Sequence, residues 1–163
     1  MPIPAPKPPI RPNRRRPSGV WRWIHPRVAS ASLVAGAWTL LATGLSMEAA
    51  PLGVGTHQQL GLPPCGFLVE TGLPCATCGM TTAFTYAVHG RLMSAFLAQP
   101  AGLAVALLAA AAAVTGVYAF ARAIPLAPLV RWLWQPRTVW SAVVLVMGSW
   151  LYKSLVILSG EGP

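Results

Sequence analysis

The residues with the clearest chemical potential in this 163-residue chain are its three cysteines, Cys65, Cys75 and Cys78. Cys75 and Cys78 form a Cys-x-x-Cys pair, and a helix pattern begins just after Gly79. Amide groups and the dipole at a helix amino terminus stabilise a thiolate, so a cysteine there can have a lowered pKa. This stretch is therefore where thiol or metal chemistry would take place.

Three interpretations of the cysteines stay open. In the first, the cysteines form a structural or redox-active disulfide, which requires an oxidising compartment. If Cys65 bonds to either of the other two, the closed loop is worth about 3 kcal/mol in the chain-entropy model. In the second, three thiolates and one histidine bind a tetrahedral metal ion, with zinc as the candidate cofactor and His57 or His89 as the fourth ligand. In the third, small cysteine side chains simply pack within a tight loop.

Other thiol motifs fit the sequence poorly. Covalent haem attachment requires a histidine directly after the second cysteine, and Gly79 has that position. No strand–helix–strand pattern surrounds the pair, which argues against a thioredoxin-like enzyme. No acid, base and nucleophile are grouped in the sequence either. We therefore expect a non-enzymatic protein, and the alternative is a thiol–disulfide membrane oxidoreductase with Cys75 and Cys78 as catalytic residues.

The elements that must position the cysteines are strongly apolar. Hydrophobic residues make up 55% of the chain and charged residues only 9%, whereas a soluble domain has about 25% charged residues. This number of charged residues is too small to cover a water-exposed surface. We therefore expect the lipid bilayer to surround much of the chain. The net charge of +9 does not indicate nucleic-acid binding, because most basic residues lie together before the first apolar run.

Three apolar runs predict an all-α integral membrane protein, with membrane-spanning helices at 28–47, 101–121 and 138–158. Twenty residues of helix extend about 30 Å, which is the thickness of a hydrocarbon core. A cleaved signal peptide is the alternative for the first run, but the run exceeds the usual signal core. Lys153, the charge in the third run, is expected to extend to the lipid headgroups. Together the runs define a membrane domain at 28–158.

The segments around these runs differ from them in character. Residues 1–27 form a basic, proline-rich arm that we expect to be disordered. Residues 48–80 contain the cysteines and many prolines and glycines, which predicts an irregular loop. Residues 81–98 have apolar side chains at every fourth position, which predicts one amphipathic helix. Residues 122–137 are expected to be a short interfacial loop, and residues 159–163 a tail.

The basic residues also predict an orientation. The amino-terminal arm and the 122–137 loop fall on the same side of a three-span protein, and they hold nearly all the arginines and lysines. The positive-inside rule places that side in the cytoplasm, and hence the cysteine loop and the carboxyl terminus on the opposite side. We therefore predict a multi-pass protein of the inner cell membrane, with lipid and other membrane proteins as partners and no nucleic acid.

At the cysteines the chain resembles a family of small bacterial membrane proteins, the domain of unknown function 2752. Its members have a cysteine-proline opening, a core reading TGLPCPGCGLTRA, then Gly-Asp and Asn-Pro. The corresponding text here is Cys65, TGLPCATCGMTTA at 71–83, Gly90-Arg91 and Gln99-Pro100. The resemblance covers roughly residues 62 to 110 and implies a small multi-span inner-membrane protein, without implying a reaction.

Three positions depart from the family's pattern. Thr82 stands where arginine is common, Arg91 where aspartate is common, and Gln99 where asparagine is common. A role for an arginine–aspartate pair in other members therefore does not carry over to this chain.

Overall fold

A computed structural model of the chain describes residues 26–122 and 124–159. Nearly all of the predicted basic arm, and the tail after residue 159, lie outside the described residues. Within them the chain forms helices and no strand. The elements are α1 (Pro26–Leu45), a 3-10 helix (Thr56–Leu60), α2 (Gly66–Thr71), α3 (Met80–Val88), α4 (Leu92–Ala98), α5 (Pro100–Arg122), α6 (Ala127–Leu133) and α7 (Pro136–Leu158).

Three of these helices, α1, α5 and α7, are long and apolar enough to cross a membrane. The prediction of an all-α fold with three membrane-spanning helices is therefore confirmed. Each of the three helices turns large apolar side chains outward, such as Trp38 in α1, Val114 in α5 and Val144 in α7. Lipid can cover such side chains without cost, whereas water would oppose their exposure.

The centre of the fold is α5, which packs against α1 and α3. The core is formed by Phe84 of α3 with Ala106 and Ala109 of α5, and Leu41 and Val88 pack against it. In the apolar part of α5, 28% of the residues are buried, compared with 11% in α7. The third membrane-capable helix is therefore peripheral, and its position depends on a small number of contacts.

Two glycines of α5 allow α3 and α1 to approach this helix closely. A Cβ at Gly102 would lie 2.6 Å from the Met80 carbonyl oxygen and 2.7 Å from the Ala83 Cβ of α3. A Cβ at Gly116 would lie 2.9 Å from a Val34 methyl group of α1. Because small residues let helix backbones approach in a membrane, these positions fix the distances of α3 and α1 from α5.

The segment predicted as one amphipathic helix over 81–98 is corrected to two helices, α3 and α4. The break is at Gly90, which has φ of 77°. The Gly90 N–H donates to the Ala87 carbonyl at 3.0 Å and the Arg91 N–H to the Tyr86 carbonyl at 2.9 Å. This pair of bonds is the Schellman ending of a helix, for which glycine has the lowest steric cost. Phe96 of α4 is consequently 50% exposed, while Phe84 of α3 is buried.

Two segments expected to be loops also contain helical turns. The loop at 48–80 includes the 3-10 helix and α2, and the loop at 122–137 includes α6. All three elements are short, and their sequences have too few residues to show a helical period. The cysteine region is thus more regular than the sequence indicates.

The ends of three helices meet at the cysteine region. The Ala101 N–H, at the start of α5, donates to Ser149 Oγ of α7 at 3.1 Å, and Trp150 Nε1 of α7 donates to the Pro74 carbonyl at 2.8 Å. The end of α1 leads directly into the same region. The start of α5 and the later half of α7 therefore lie at one end of the bundle, as three successive spans require.

We predict that Gly102→Val lowers the free energy of unfolding by about 1–3 kcal/mol, because the added side chain overpacks against α3 backbone. Thermal unfolding followed by circular dichroism in detergent micelles measures the change. The matched control is Gly148→Val in α7, where a Cβ would have no neighbour within 4 Å, so this substitution should not destabilise the protein. Equal destabilisation by both substitutions would contradict the close packing of α5 on α3.

Candidate metal centre

Cys75 and Cys78 lie in a tight turn between α2 and α3. The Cys78 N–H donates to the Cys75 carbonyl at 3.0 Å, and Gly79, the residue before α3, has φ of 86°. A Cβ at Gly79 would lie 2.7 Å from the Gly53 carbonyl oxygen. Glycine is therefore required here both for the left-handed backbone and for the close contact with the chain at residue 53.

The three sulfur atoms form one cluster. The Sγ atoms of Cys65, Cys75 and Cys78 all lie within 4.8 Å of one another. All three are free thiols; Cys78 is buried, and the other two are half-buried. Cys65 is the residue before α2 and the other two follow that helix, so the α2 turn brings the first cysteine back to the pair. The sequence analysis treats these three cysteines as one candidate site, and the structure brings their sulfur atoms together.

The environments of Cys75 and Cys78 shift the pKa values of the two thiols in opposite directions. Burial alone would raise the pKa of Cys75, but hydrogen bonds from Thr77, Cys65 and Cys78 outweigh it and hold that pKa below the ordinary value. The Thr77 hydroxyl lies 3.4 Å from Cys75 Sγ. Burial, with a smaller contribution from repulsion by the nearby Cys75 and Cys65, raises the pKa of Cys78 to about 12. The pair thus has an accessible, acidic thiol and a buried, weakly acidic one.

The turn is tied to the ends of α5 and α7 by buried polar side chains. Gln99, which is fully buried, donates from Nε2 to the Ala76 carbonyl at 3.0 Å. Trp150 of α7 holds the Pro74 carbonyl, so the residue before Cys75 and the residue after it are both anchored. Two buried oxygens in this part of the described chain, Gln99 Oε1 and Ser154 Oγ, have no hydrogen-bond partner.

Lys153 is the main correction to the sequence analysis. It was expected to extend to the lipid headgroups, but its side chain is only 1% exposed. It follows Trp150 on α7 by three residues, on the same helix face, and it interacts electrostatically with Cys78. Its stem is therefore directed into the protein, next to the cysteine cluster. A charge within an apolar span was the signal that could have identified it as a residue of the site.

The two candidate histidine ligands occupy different places. His57, in the 3-10 helix, lines the same cavity as all three cysteines, a space of about 500 Å³ between α1, α3 and α5. His89, at the end of α3, lines a separate cavity with Glu48, Tyr86 and Arg91. The group of three sulfurs contains neither histidine. The structure therefore associates His57, rather than His89, with the cysteines.

The segment that carries His57 is fixed by hydrogen bonds to α3. Thr56 and Thr82 are fully buried, and their hydroxyl oxygens lie 2.8 Å apart. The Ala50 N–H donates to the Thr56 hydroxyl at 2.9 Å. These contacts hold the start of the 3-10 helix against the first turn of α3, so His57 and Cys78 are positioned by the same helix.

The fold and the site together define a small helical protein with three membrane-capable helices and a three-thiol cluster at one end of the bundle. Residues 65–113, from the first cysteine into α5, match the family described as "Protein of unknown function (DUF2752)". This match confirms the resemblance that the cysteine motif indicates. No curated protein and no solved structure matches the chain significantly.

We predict that Cys75 is alkylated much faster than Cys78 in the reduced, metal-free protein. At about pH 8 the lowered pKa of Cys75 gives it a larger thiolate fraction than an ordinary cysteine, while the Cys78 thiol stays protonated until the pH approaches 12. Iodoacetamide labelling with peptide mass spectrometry should give a rate at least about 100-fold higher for Cys75. Equal rates in the folded protein, with denatured protein as the control, would contradict this asymmetry.

Proposed function

We propose that this chain is a non-enzymatic, multi-pass protein of the bacterial inner membrane, stapled at one end by a metal ion on Cys65, Cys75 and Cys78. The observation that carries the proposal is the triangle of three free thiols within 4.8 Å. The staple would make the cysteine turn rigid, and Gln99 and Trp150 connect that turn to the start of α5 and to α7. The rigid end formed in this way would serve as a docking element for other membrane proteins.

The donor set fits a metal such as zinc. Zinc binds thiolates at about 2.3 Å in a tetrahedral arrangement, which places neighbouring sulfurs about 3.8 Å apart. Sulfurs within 4.8 Å need only a small contraction to reach that spacing. Soft thiolate ligands favour zinc and other thiophilic metals over magnesium or calcium. When bound, the ion would supply a cross-link between the residues before α2 and before α3.

A fourth ligand is available in His57. Its Nε2 lies 3.1 Å from the Pro63 carbonyl oxygen, and because a carbonyl only accepts, this ring nitrogen carries the proton. Its Nδ1 is then free to bind a metal. A ligating histidine usually donates its other N–H to a carbonyl or carboxylate in this way. His89 makes a similar bond through Nδ1 to the Thr85 carbonyl, but it lines a different cavity.

A thiol–disulfide oxidoreductase is the second candidate, and one observation favours it. An accessible cysteine with a lowered pKa next to a buried partner is the arrangement in which the first thiolate attacks and the second resolves. Cys75 and Cys78 have these properties. The metal staple is preferred because Cys65 Sγ lies within 4.8 Å of both other sulfur atoms, and a two-cysteine exchange reaction leaves Cys65 without a role.

The proposed orientation has the cysteine end outside the cytoplasm. Arg122, Arg131 and Arg137 lie in or beside the connection between α5 and α7, about one membrane-spanning helix away from the cysteines. Basic residues at that end favour the cytoplasmic face. In an oxidising compartment a bound metal would also protect the three thiols from disulfide formation.

We predict that the reduced, full-length protein in detergent binds one Co²⁺ or Zn²⁺ per chain, and that serine at any of the three cysteine positions abolishes tight binding. His57→Ala should weaken Co²⁺ binding by about 10-fold or more, since removal of a ligand should cost at least as much as removal of its supporting residue. His89→Ala is the matched control and should bind as the unchanged protein does. Thiolate-to-cobalt absorption and elemental analysis provide the measurements.

The same preparation separates the two candidate functions. Protein purified without reductant should contain three thiols and a metal if the staple is correct. A Cys75–Cys78 disulfide that is reduced and reformed reversibly, with no metal in either state, would support the oxidoreductase and reject the staple.

We predict that a membrane-impermeant maleimide labels Glu70→Cys in intact cells and labels Gln135→Cys only after lysis. Both side chains are exposed, and they lie at opposite ends of the bundle, so the difference reports the orientation. The unchanged protein provides the background from the three native cysteines. The reverse labelling pattern would overturn the proposed orientation.

A further inference from the structure

The observation that the metal staple leaves unexplained is the burial of Lys153 in a membrane-capable helix. The structure describes two carboxylates, Glu48 and Glu70, and both are exposed. The electrostatic partner of Lys153 is Cys78. A buried ammonium group needs an anion close to it, and an ionisable residue inside a membrane span usually marks a functional site with such a partner.

The position of Lys153 next to the cluster is set by several independent contacts of α7. Trp150 holds the Pro74 carbonyl at 2.8 Å, Ser149 accepts the Ala101 N–H, and the Tyr152 hydroxyl donates to the Leu97 carbonyl at 3.1 Å. The buried residues of α7 are Ser149, Lys153 and Ser154. This helix therefore meets the bundle mainly through polar groups beside the cysteine turn, and the lysine lies in the middle of them.

We infer that Lys153 compensates the charge of the thiolate–metal centre and thereby selects a divalent cation for it. This inference rests on the proposed metal staple. Three thiolates with a divalent ion carry one net negative charge, and a neutral histidine as fourth ligand leaves that charge unchanged. One buried ammonium makes the whole assembly neutral, which is the condition under which it can be enclosed between apolar helices. A monovalent ion in the same site would leave a negative charge uncompensated.

Lys153 is accordingly a positioning residue that acts on the metal through Cys78 and does not bind the metal itself. Its ammonium stabilises the Cys78 thiolate, which is the most buried of the three sulfur ligands. Because attraction to a neighbouring cation strengthens where water is excluded, removal of the positive charge should weaken metal binding even though every ligand remains.

The test is a Co²⁺ titration of the reduced, full-length protein in detergent micelles, with affinity measured against a competing chelator. Lys153→Met should weaken Co²⁺ binding about 10- to 100-fold, the range found when residues that support metal ligands are removed. Lys153→Arg keeps the charge and should stay within a few-fold of the unchanged protein. Leu151→Met is the control and should bind Co²⁺ as the unchanged protein does, since Leu151 lies on the exposed face of the same turn of α7 and the substitution changes no charge.

The outcomes distinguish this inference from the proposed function. If the unchanged protein gives no thiolate-to-cobalt absorption, the metal staple itself is rejected and the inference with it. If the unchanged protein binds Co²⁺ and Lys153→Met binds it equally well, only the role of Lys153 is rejected. An equal loss in Lys153→Arg and Lys153→Met would show that shape, and not charge, matters. Lys153→Gln provides a second uncharged variant should Lys153→Met fail to fold, as judged by circular dichroism.

Discussion

The structure depends on the attachment of the cysteine turn to the ends of α5 and α7. Apolar surface cannot provide this attachment in a membrane, because lipid tails satisfy apolar helix faces as well as another helix does. The specific contacts are instead polar: Gln99 to the Ala76 carbonyl, Trp150 to the Pro74 carbonyl and Lys153 next to Cys78. Hydrogen bonds to a buried backbone are costly to leave unmade, so they determine where the peripheral helix α7 lies.

A metal ion bound to the cysteines would stabilise this turn more strongly than its hydrogen bonds do. Structural zinc sites contribute about 10–16 kcal/mol in small peptides, whereas a hydrogen bond contributes about 1 kcal/mol net. The turn before α3 ends at Gly79, which has a left-handed backbone and lies in close contact with the chain at Gly53. A staple at this point would hold the turn in place. The bundle would then have one rigid end.

Much of this architecture follows from the sequence because it depends on local patterns. Each membrane-capable helix is one long apolar run, and the three cysteines are close in the sequence, so hydropathy and spacing were sufficient. The prediction of a single helix over 81–98 was wrong, and the reason is also local. The apolar repeat continues past Gly90, but the left-handed backbone of Gly90 ends α3. The sequence could not predict interactions between distant residues, such as the hydrogen bond of Trp150 to Pro74 and the electrostatic interaction of Lys153 with Cys78, because no sequence period relates these residues.

The central claim is that three sulfur atoms of this chain bind one metal ion, and X-ray absorption at the metal edge tests it most directly. For the purified protein loaded with zinc, the account predicts a shell of three sulfur atoms at about 2.3 Å and one nitrogen at about 2.0–2.1 Å. A zinc environment made only of oxygen and nitrogen, in protein that retains its three thiols, would contradict the account.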